Sequence, residues 1–358
     1  MIFDLTDEQK MLQETVQQFI ENECPVTRLR ELFDGDEGHD PVLWKGLAEL
    51  GIAGLLIPEQ YGGAGLEMLD LAVVAETMGH GALPGPFFNH VLAGLAIELG
   101  GSDAQKEKWL PKLAAGDALA TIALSDAAGG WQPEDWQLEG GDTLTGSKPM
   151  VPFASLADVI VVGVAGGDLV LVEKGADGLS LESVDGADRS RRLDTLTFAE
   201  TPCEALPKGV AAAAKVRDAG LILLSADAIG GSQRCLEMSV EYAKTRQQFG
   251  VVIGQFQALK HQLANMALSV EPSRGLYWYA AHAFDHTPEE AERIAAVAKA
   301  HITDGFMQVA RDAIEAHGGI GFTWECDVQM WFKRAMFDRA FLGAPAIHRS
   351  RAATLADW

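Results

Sequence analysis

The C-terminal part of the chain carries long helical patterns that are separated by very short joins. One helix is predicted from about 212 to 242, a second from about 256 to 284, and a third from 288 to 317, with a last helical stretch starting near Asp327. Antiparallel helices of this length with short joins pack as a four-helix bundle. The sequence therefore predicts a C-terminal bundle domain over residues 209–358.

The first third of the chain is predicted to be helical as well. Capping boxes at Thr6–Gln9 and Ser102–Gln105 each head a helix, because a hydroxyl and a glutamine three residues apart can satisfy two free N–H groups. Between them the apolar spacing predicts further helices, and in the one over 41–50 we expect Leu50 to point inward. These helices predict an N-terminal all-α domain over residues 1–118.

The middle of the chain has the pattern of a small β domain, predicted over residues 119–208. The β-branched runs 159–164 and 169–172 are joined by a glycine-rich turn, which predicts a hairpin. Two further strands are predicted at 179–181 and 196–198. Because no helices intervene, we expect an antiparallel barrel or sandwich. The fold class is therefore α+β multidomain, in the order α, β, α bundle.

Composition excludes several partners. At 358 residues the chain carries a net charge of −23, which disfavours nucleic acid and anionic membrane surfaces. Cys24, Cys203, Cys235 and Cys326 are scattered without metal-ligand spacing, as is typical of reduced thiols. The acidic N-terminus lacks a signal-peptide pattern, and no apolar run is long enough for a membrane helix. We therefore expect a cytoplasmic protein without bound metal.

Three phrases of the sequence carry a resemblance to a known family. They are the run from Trp44 to Gly63 containing Pro-Glu-Gln-Tyr-Gly-Gly, the turn Thr245–Gly250, and Ala316–Glu325, which reads Ala-His-Gly-Gly-Ile-Gly-Phe-Thr-Trp-Glu. In this order, and over the whole chain, the sequence resembles the acyl-CoA dehydrogenase family. The resemblance implies FAD held between subunits of a helical bundle. It also implies removal of two hydrogens from an acyl-CoA, the α-proton by a glutamate and the β-hydride by flavin N5.

The resemblance assigns one group of residues to the FAD of a neighbouring subunit. An arginine offers paired donors to a pyrophosphate, and adjacent glycines allow backbone to approach an anion closely. In the family the position of Glu315 is usually glutamine, and a carboxylate beside phosphate is unfavourable. The alternative is that Gly318 and Gly319 only cap a helix and that Arg246 is a surface charge. The candidate cofactor-binding residues are Arg246, Gln248, Phe249, Ile253, Phe256, Glu315, Gly318 and Gly319.

The positions that would serve the chain's own flavin depart from the family pattern. The family reads Thr-Glu-Pro-x-Ala-Gly-Ser-Asp before its β domain, whereas this chain has Ser125 at the start and Trp131 near the end. The family places Trp-Ile-Thr after a lysine, whereas here Lys148 is followed by Pro149-Met150-Val151-Pro152. Pro152 offers neither a hydroxyl nor an N–H. We therefore expect this flavin site to be lost.

The catalytic base is also missing from the positions that the resemblance implies. The commoner position precedes a glycine in the last segment and is Leu342 here, and the alternative on the first bundle helix is Gly220. Neither side chain can accept a proton. Asp218 lies two residues from Gly220, but two helical residues turn it about 200° away. It is a weak candidate base, and we expect it to be a solvated helix residue.

Three hypotheses follow. The first is a residue-depleted subunit, resembling those of heteromeric α2β2 bacterial acyl-CoA dehydrogenases for steroid side-chain thioesters, which completes the FAD site of a catalytic paralogue. The second is a homo-oligomeric enzyme with a relocated base such as Asp218. The third is a flavin-free scaffold or binding protein. Under the first two, the expected partners are an acyl-CoA substrate and an electron-transfer flavoprotein.

Overall fold

The structure is a computed structural model that describes residues 4–35, 38–126 and 128–358. The described residues form two compact units, each of which gathers separate stretches of the chain. The bundle unit contains residues 4–31, 72–83 and 221–358. The sheet unit contains the described residues among 32–71 and 84–220. The three domain boundaries predicted from the sequence stay a prediction.

Six α-helices precede the sheets, and both predicted capping boxes are present. Thr6 and Ser102 each accept a hydrogen bond from the backbone N–H three residues on, and the glutamine there bonds back. Leu50, predicted to point inward, is 41% exposed, because the helix ends before it and the chain turns at Gly51 with φ +78°. The second helix was not predicted. The six are α1 Asp7–Glu23, α2 Val26–Asp34, α3 Pro41–Glu49, α4 Met68–His80, α5 Phe87–Gly100 and α6 Asp103–Ala114.

The sheet unit holds two sheets. Its strands are β1 Ala120–Ala123, β2 Thr143–Pro152, β3 Val159–Val164, β4 Asp168–Glu173, β5 Leu179–Val184, β6 Leu193–Pro202 and β7 Glu204–Ala205. One sheet has the order β1-β3-β4-β7 and the other β2-β6-β5, and the predicted β3–β4 hairpin is present. The expectation of antiparallel pairing alone was wrong, because β1 pairs with β3 in parallel. The crossover between them passes through β2 in the other sheet, so it needs no helix.

A compact apolar core explains why the middle of the chain folds around its strands. The inward side chains of β2, β3, β4 and β6 form one buried cluster, which includes Leu144, Ile160, Val172, Leu196 and Phe198. Burial of such side chains stabilises the fold by roughly 1.5–3 kcal/mol each. The β-branched runs therefore serve the interior of this unit.

Five α-helices complete the part of the chain that the structure describes. They are α7 Gly209–Thr245, α8 Gln257–His286, α9 Pro288–His317, α10 Val328–Ala340 and α11 Pro345–Thr354. Within the bundle unit, α7 and α9 approach so closely at Gly231 that a Cβ there would lie 2.3 Å from the ring of Phe306. None of the described helices has the length and apolarity that a membrane crossing requires. The predicted long helices are confirmed, and α11 adds a fifth.

Candidate cofactor site

The turn between α7 and α8 is a tight β-hairpin. Its strands are β8 Gln247–Gln248 and β9 Val251–Val252, with Gln247 opposite Val252 and Gln248 opposite Val251. The two central residues, Phe249 and Gly250, have φ of +54° and +80°, the combination that defines a type I′ turn. Sequence reasoning predicted a turn but not the hairpin, because Phe-Gly lacks the usual Asn-Gly signal of this turn type.

Phe249 combines backbone strain with almost complete exposure. A bulky residue in the left-handed region is an outlier, and such strain concentrates at ligand-binding sites. Its side chain is 91% exposed, and its ring meets that of Phe256 edge-on, with ring centroids 6.1 Å apart. Phe256 is itself 40% exposed. The hairpin therefore presents an aromatic face to its surroundings, while Ile253 lies half-buried behind it.

Arg246 is fixed at its backbone and unpaired at its side chain. Its N–H donates to the carbonyl of Tyr242 at 2.8 Å, and its carbonyl accepts from the N–H of Ile253 at 2.9 Å. No described residue accepts a hydrogen bond or forms an ion pair with its guanidinium, which is exposed. Gln248 donates to the carbonyl of Gln247. The hairpin thus carries a free, positioned cation, which is suited to an anionic ligand.

The Gly-Gly phrase forms the end of α9. Gly318 has φ +67° and ψ −144°, a conformation reserved for glycine. A Cβ built at Gly318 or at Gly319 would meet nothing within 4 Å. Gly319 therefore has open space around it, although its backbone conformation does not require glycine. Glu315, one turn earlier, is exposed. The two glycines leave room for a ligand to approach the backbone.

A ring stack connects the hairpin with the Gly-Gly phrase. Tyr242, near the end of α7, lies against His317, the last residue of α9, with ring centroids 4.6 Å apart and planes 27° apart. Nδ1 of His317 lies 2.7 Å from the carbonyl of Ala313, and burial lowers the pKa of this imidazole. His317 stands inside the Ala316–Glu325 phrase and Tyr242 lies three residues before the Thr245–Gly250 turn, and their pairing was not predicted. The structure therefore brings the two phrases together.

The positions that the family uses for a subunit's own flavin are bonded to each other here. The Ser125 hydroxyl donates to the carbonyl of Pro149. The fully buried Lys148 ammonium lies 3.3 Å from the carboxylate of Asp126. Burial lowers the pKa of Lys148, and the charge of Asp126 opposes that shift. We call Ser125, Asp126, Lys148 and Pro149 the buried polar cluster.

Pro152 adds to this closed arrangement. The carbonyl of Pro152 accepts a hydrogen bond from the hydroxyl of Thr121 at 2.5 Å, and the residue pairs with Leu193 in the β2–β6 ladder. Between Lys148 and Val151 the ladder shifts register. The segment after the lysine is therefore held in the sheet.

The positions where the family carries its base cannot accept a proton. Leu342 is fully buried with φ +58°, and its carbonyl lies 3.0 Å from Nε2 of His348. Gly220 is buried within α7. Asp218 was expected to be solvated, and this was wrong. Asp218 is 6% exposed, and its carboxylate lies 2.9 Å from Nε of the buried Arg217, because an ion pair allows both charges to be buried.

Comparison with known proteins places this architecture. The acyl-CoA dehydrogenase N-terminal domain model matches residues 6–117, and the C-terminal domain model matches residues 208–355. A helical N-terminal part, a middle β part and a helical C-terminal part define the acyl-CoA dehydrogenase fold. The chain belongs to the acyl-CoA dehydrogenase family.

Three relatives match nearly the full length of this chain. The acyl-CoA dehydrogenase IpdE2 of Mycobacterium tuberculosis is 34% identical over 95% of this chain and 94% of its own length. The structure of the Tcur3481-Tcur3483 steroid ACAD matches with a TM-score of 0.91 at 30% identity, covering 98% of both chains. The ChsE4-ChsE5 complex from Mycobacterium tuberculosis matches with a TM-score of 0.90 at 25% identity, covering 100% of this chain and 99% of that one.

Members of this family are generally FAD-dependent, and the two regions of this chain differ in how they fit that cofactor. In the bundle unit, the free guanidinium of Arg246 and the open backbone at Gly318 and Gly319 fit a pyrophosphate. In the sheet unit, the Ser125 hydroxyl is already bonded within the chain, and Pro152 has no N–H to offer. Of these two regions, the one in the bundle unit therefore fits the cofactor better.

Proposed function

We propose that this chain is the non-catalytic subunit of a heteromeric acyl-CoA dehydrogenase. In this proposal it completes the FAD site of a catalytic paralogue, and the complex removes the α and β hydrogens of a bulky acyl-CoA. The observation that carries the proposal is the contrast between the exposed, unpaired Arg246 and the fully buried Leu342. Arg246 is available to bind a neighbour's cofactor, whereas the position of the chain's own base is occupied by the apolar side chain of Leu342.

The buried polar cluster supports the same assignment. A flavin edge needs hydrogen-bond donors that are free before it binds, since a donor already bonded inside the protein gains little by exchange. Ser125 and Lys148 are bonded inside the chain. Asp218, the base required by a self-sufficient enzyme, is buried against Arg217. A general base must reach the substrate, and this carboxylate is buried against the arginine.

Relatives indicate the substrate class. One similar structure is named as a steroid ACAD and another as a complex of two differently named chains. We infer a steroid-type or comparably bulky acyl group. In a pair of subunits with one working site, the unused pocket of the other subunit leaves space for such a group. An electron-transfer flavoprotein is the expected electron acceptor of such an enzyme.

The residues of this chain act by binding and positioning. Arg246 would donate two parallel hydrogen bonds to the pyrophosphate. The backbone at Gly318 and Gly319 would approach the cofactor without side-chain interference, and Phe249 would cover an apolar face of it. When bound, FAD supplies the hydride acceptor. The α-proton would leave to a glutamate of the catalytic subunit, since this chain has none at that position.

The test is expression of this chain alone and together with a paralogue that carries the glutamate and the Thr-Glu-Pro phrase. We expect a colourless chain alone and a yellow, active complex. Flavin absorbance at equal protein concentration and acyl-CoA-dependent dye reduction measure the two properties. A yellow and active chain on its own would refute the proposal and favour a self-sufficient enzyme. A stable but colourless complex would favour a flavin-free scaffold.

A further inference from the structure

The segment after the Gly-Gly phrase begins within a 3-10 helix, Gly318–Phe322, and continues as a loop, and it carries exposed aromatic side chains. We call residues 320–327 the aromatic loop. Phe322 is 79% exposed, and Ile320 and Trp324 are 45% and 44% exposed. Large exposed apolar side chains in close succession mark an interaction surface, and Trp and Phe frequently supply most of the binding free energy there.

One arginine on a separate helix bonds the end of the loop at three points. Arg30 of α2 donates to the carbonyl of Trp324 at 2.5 Å and to the carbonyl of Glu325 at 3.4 Å. Its guanidinium also forms an ion pair with Asp327. The side chain of Arg30 is 26% exposed, so these bonds are partly shielded from water. A planar guanidinium has five donors in fixed directions, and it can hold two carbonyls and a carboxylate at once.

Other contacts leave the loop little freedom. The hydroxyl of Thr323 donates to the carbonyl of Ile320 at 2.8 Å. The ammonium of Lys333 lies 3.8 Å from the ring centroid of Trp324, a cation–π contact that fixes the indole plane. Arg30 contributes contacts to the loop from a distant part of the sequence. We therefore expect its removal to free the loop while the helices remain.

We propose that Arg30 is a positioning residue that holds the aromatic loop in the shape that docks against the catalytic subunit. The inference rests on the proposed function, since it assigns the partner from that assembly. The loop continues directly from Gly318 and Gly319, so a chain that brings its FAD to these glycines also meets Phe322 and Trp324. A loop that is ordered before binding spares the complex the entropy of ordering it.

The experiment compares Arg30→Ala with Arg28→Ala. Arg28 lies on the same helix, and its guanidinium pairs with Glu31 one turn further on, so it controls for loss of a cation from α2. Hydrogen exchange of the peptide covering 320–327 is measured in the isolated chain. Affinity for the catalytic paralogue is measured by titration. We expect Arg30→Ala to speed exchange only in that peptide and to weaken partner binding about tenfold, the effect of losing a few ordered residues.

The variant Arg30→Lys separates positioning from charge. Lysine can keep the pair with Asp327, but it cannot hold both carbonyls in the same geometry, so we expect an affinity between wild type and Arg30→Ala. Wild-type exchange and affinity in Arg30→Ala would overturn the inference, as would faster exchange spread over the whole chain. A wild-type chain that binds no paralogue would refute the proposed function and this docking role together. Exchange in the isolated chain would still report whether Arg30 holds the loop.

Discussion

The region around the α7–α8 hairpin and the buried polar cluster differ in the exposure of their side chains and in whether those side chains are bonded within the chain. Around the hairpin, Arg246 has no side-chain partner among the described residues and Phe249 is 91% exposed. In the cluster, Ser125 and Lys148 are buried and bonded to residues of the same chain. The resemblance relates both regions to FAD sites. Under the proposed function, the difference means that this chain offers Arg246 and Phe249 to a cofactor in its partner and uses the cluster for its own fold.

The largest expected effect is on stability, and it tests whether the cluster is structural. Lys148→Met leaves the carboxylate of Asp126 buried without its cation, which costs about 3–5 kcal/mol. Urea unfolding at pH 7 measures the free energy of unfolding. The matched control is Lys174→Met, which removes an exposed pair with Asp158 at 3.8 Å and should cost less than about 1 kcal/mol. Equal effects of the two substitutions would show that the cluster does not stabilise the fold.

The next largest effect concerns the role of Arg246 in binding FAD. Arg246→Ala removes the paired donors and should weaken FAD binding by the co-complex about 10- to 100-fold, as expected for charge-assisted hydrogen bonds. Equilibrium dialysis of FAD measures the change. Lys244→Ala is the control, because this exposed lysine is paired with Glu241 at 2.7 Å. An unchanged affinity for FAD in Arg246→Ala would show that this arginine is only a surface charge.

Acid stability sharpens the claim that buried polar groups of the sheet unit serve its fold. Burial lowers the pKa of His90 from 6.5 to about 4. Nε2 of His90 faces the carbonyl of Leu113 at 3.1 Å, and Nδ1 accepts from the N–H of Ala120 at 3.3 Å. Between pH 6.5 and about 4, His90 is therefore protonated in the unfolded chain but remains neutral in the folded chain. The stabilisation is complete above that pH and is lost as the pH falls towards about 4.

Between pH 7.5 and pH 5 this single group should lower the free energy of unfolding by about 2 kcal/mol. His90→Gln removes the titration, so its unfolding free energy should fall by that much less over the same interval. Urea unfolding at both pH values measures the difference. Identical falls in the wild type and the variant would mean that His90 titrates normally in the folded chain.

The smallest expected effect concerns the Gly-Gly phrase. It distinguishes a need for glycine's backbone conformation from a need for open space beside the backbone. Gly318→Ala forces alanine into a glycine-only conformation and should cost about 1–2 kcal/mol of stability. Gly319→Ala carries no positive φ, so it should leave thermal unfolding unchanged. Both add a methyl group to open space and should weaken FAD binding by the co-complex. If neither changes FAD affinity, the glycines serve only to end α9.

The sequence predicted the helices other than α2 and α11, and the β3–β4 hairpin of the sheet unit, because their periodicity and turn or capping residues are local. It did not predict the parallel β1–β3 ladder, since a crossover through a strand of another sheet leaves no local pattern. The exposure of Leu50 was missed because apolar spacing continued past the end of α3. Burial of Asp218 depends on Arg217, its neighbour in sequence, and periodicity cannot reveal whether such a pair faces solvent.

The candidate site divides in the same way. Arg246, Phe249, Gly318 and Gly319 were selected by resemblance, and the geometry adds what a residue order cannot contain. The Tyr242–His317 stack brings two distant phrases together, and the type I′ turn exposes Phe249. The contacts of Arg30 with residues 324–327 span nearly the whole chain, and no local motif announces them.

The central claim is that one FAD is shared by two different chains, with Arg246 supplied by this one. The most direct measurement is the flavin content of the purified complex with its catalytic paralogue, from absorbance of released FAD and quantitative amino-acid analysis. The account predicts one FAD for every two polypeptide chains, reduced by Arg246→Ala on this chain. One FAD for every chain, or flavin content that ignores Arg246→Ala, would contradict it.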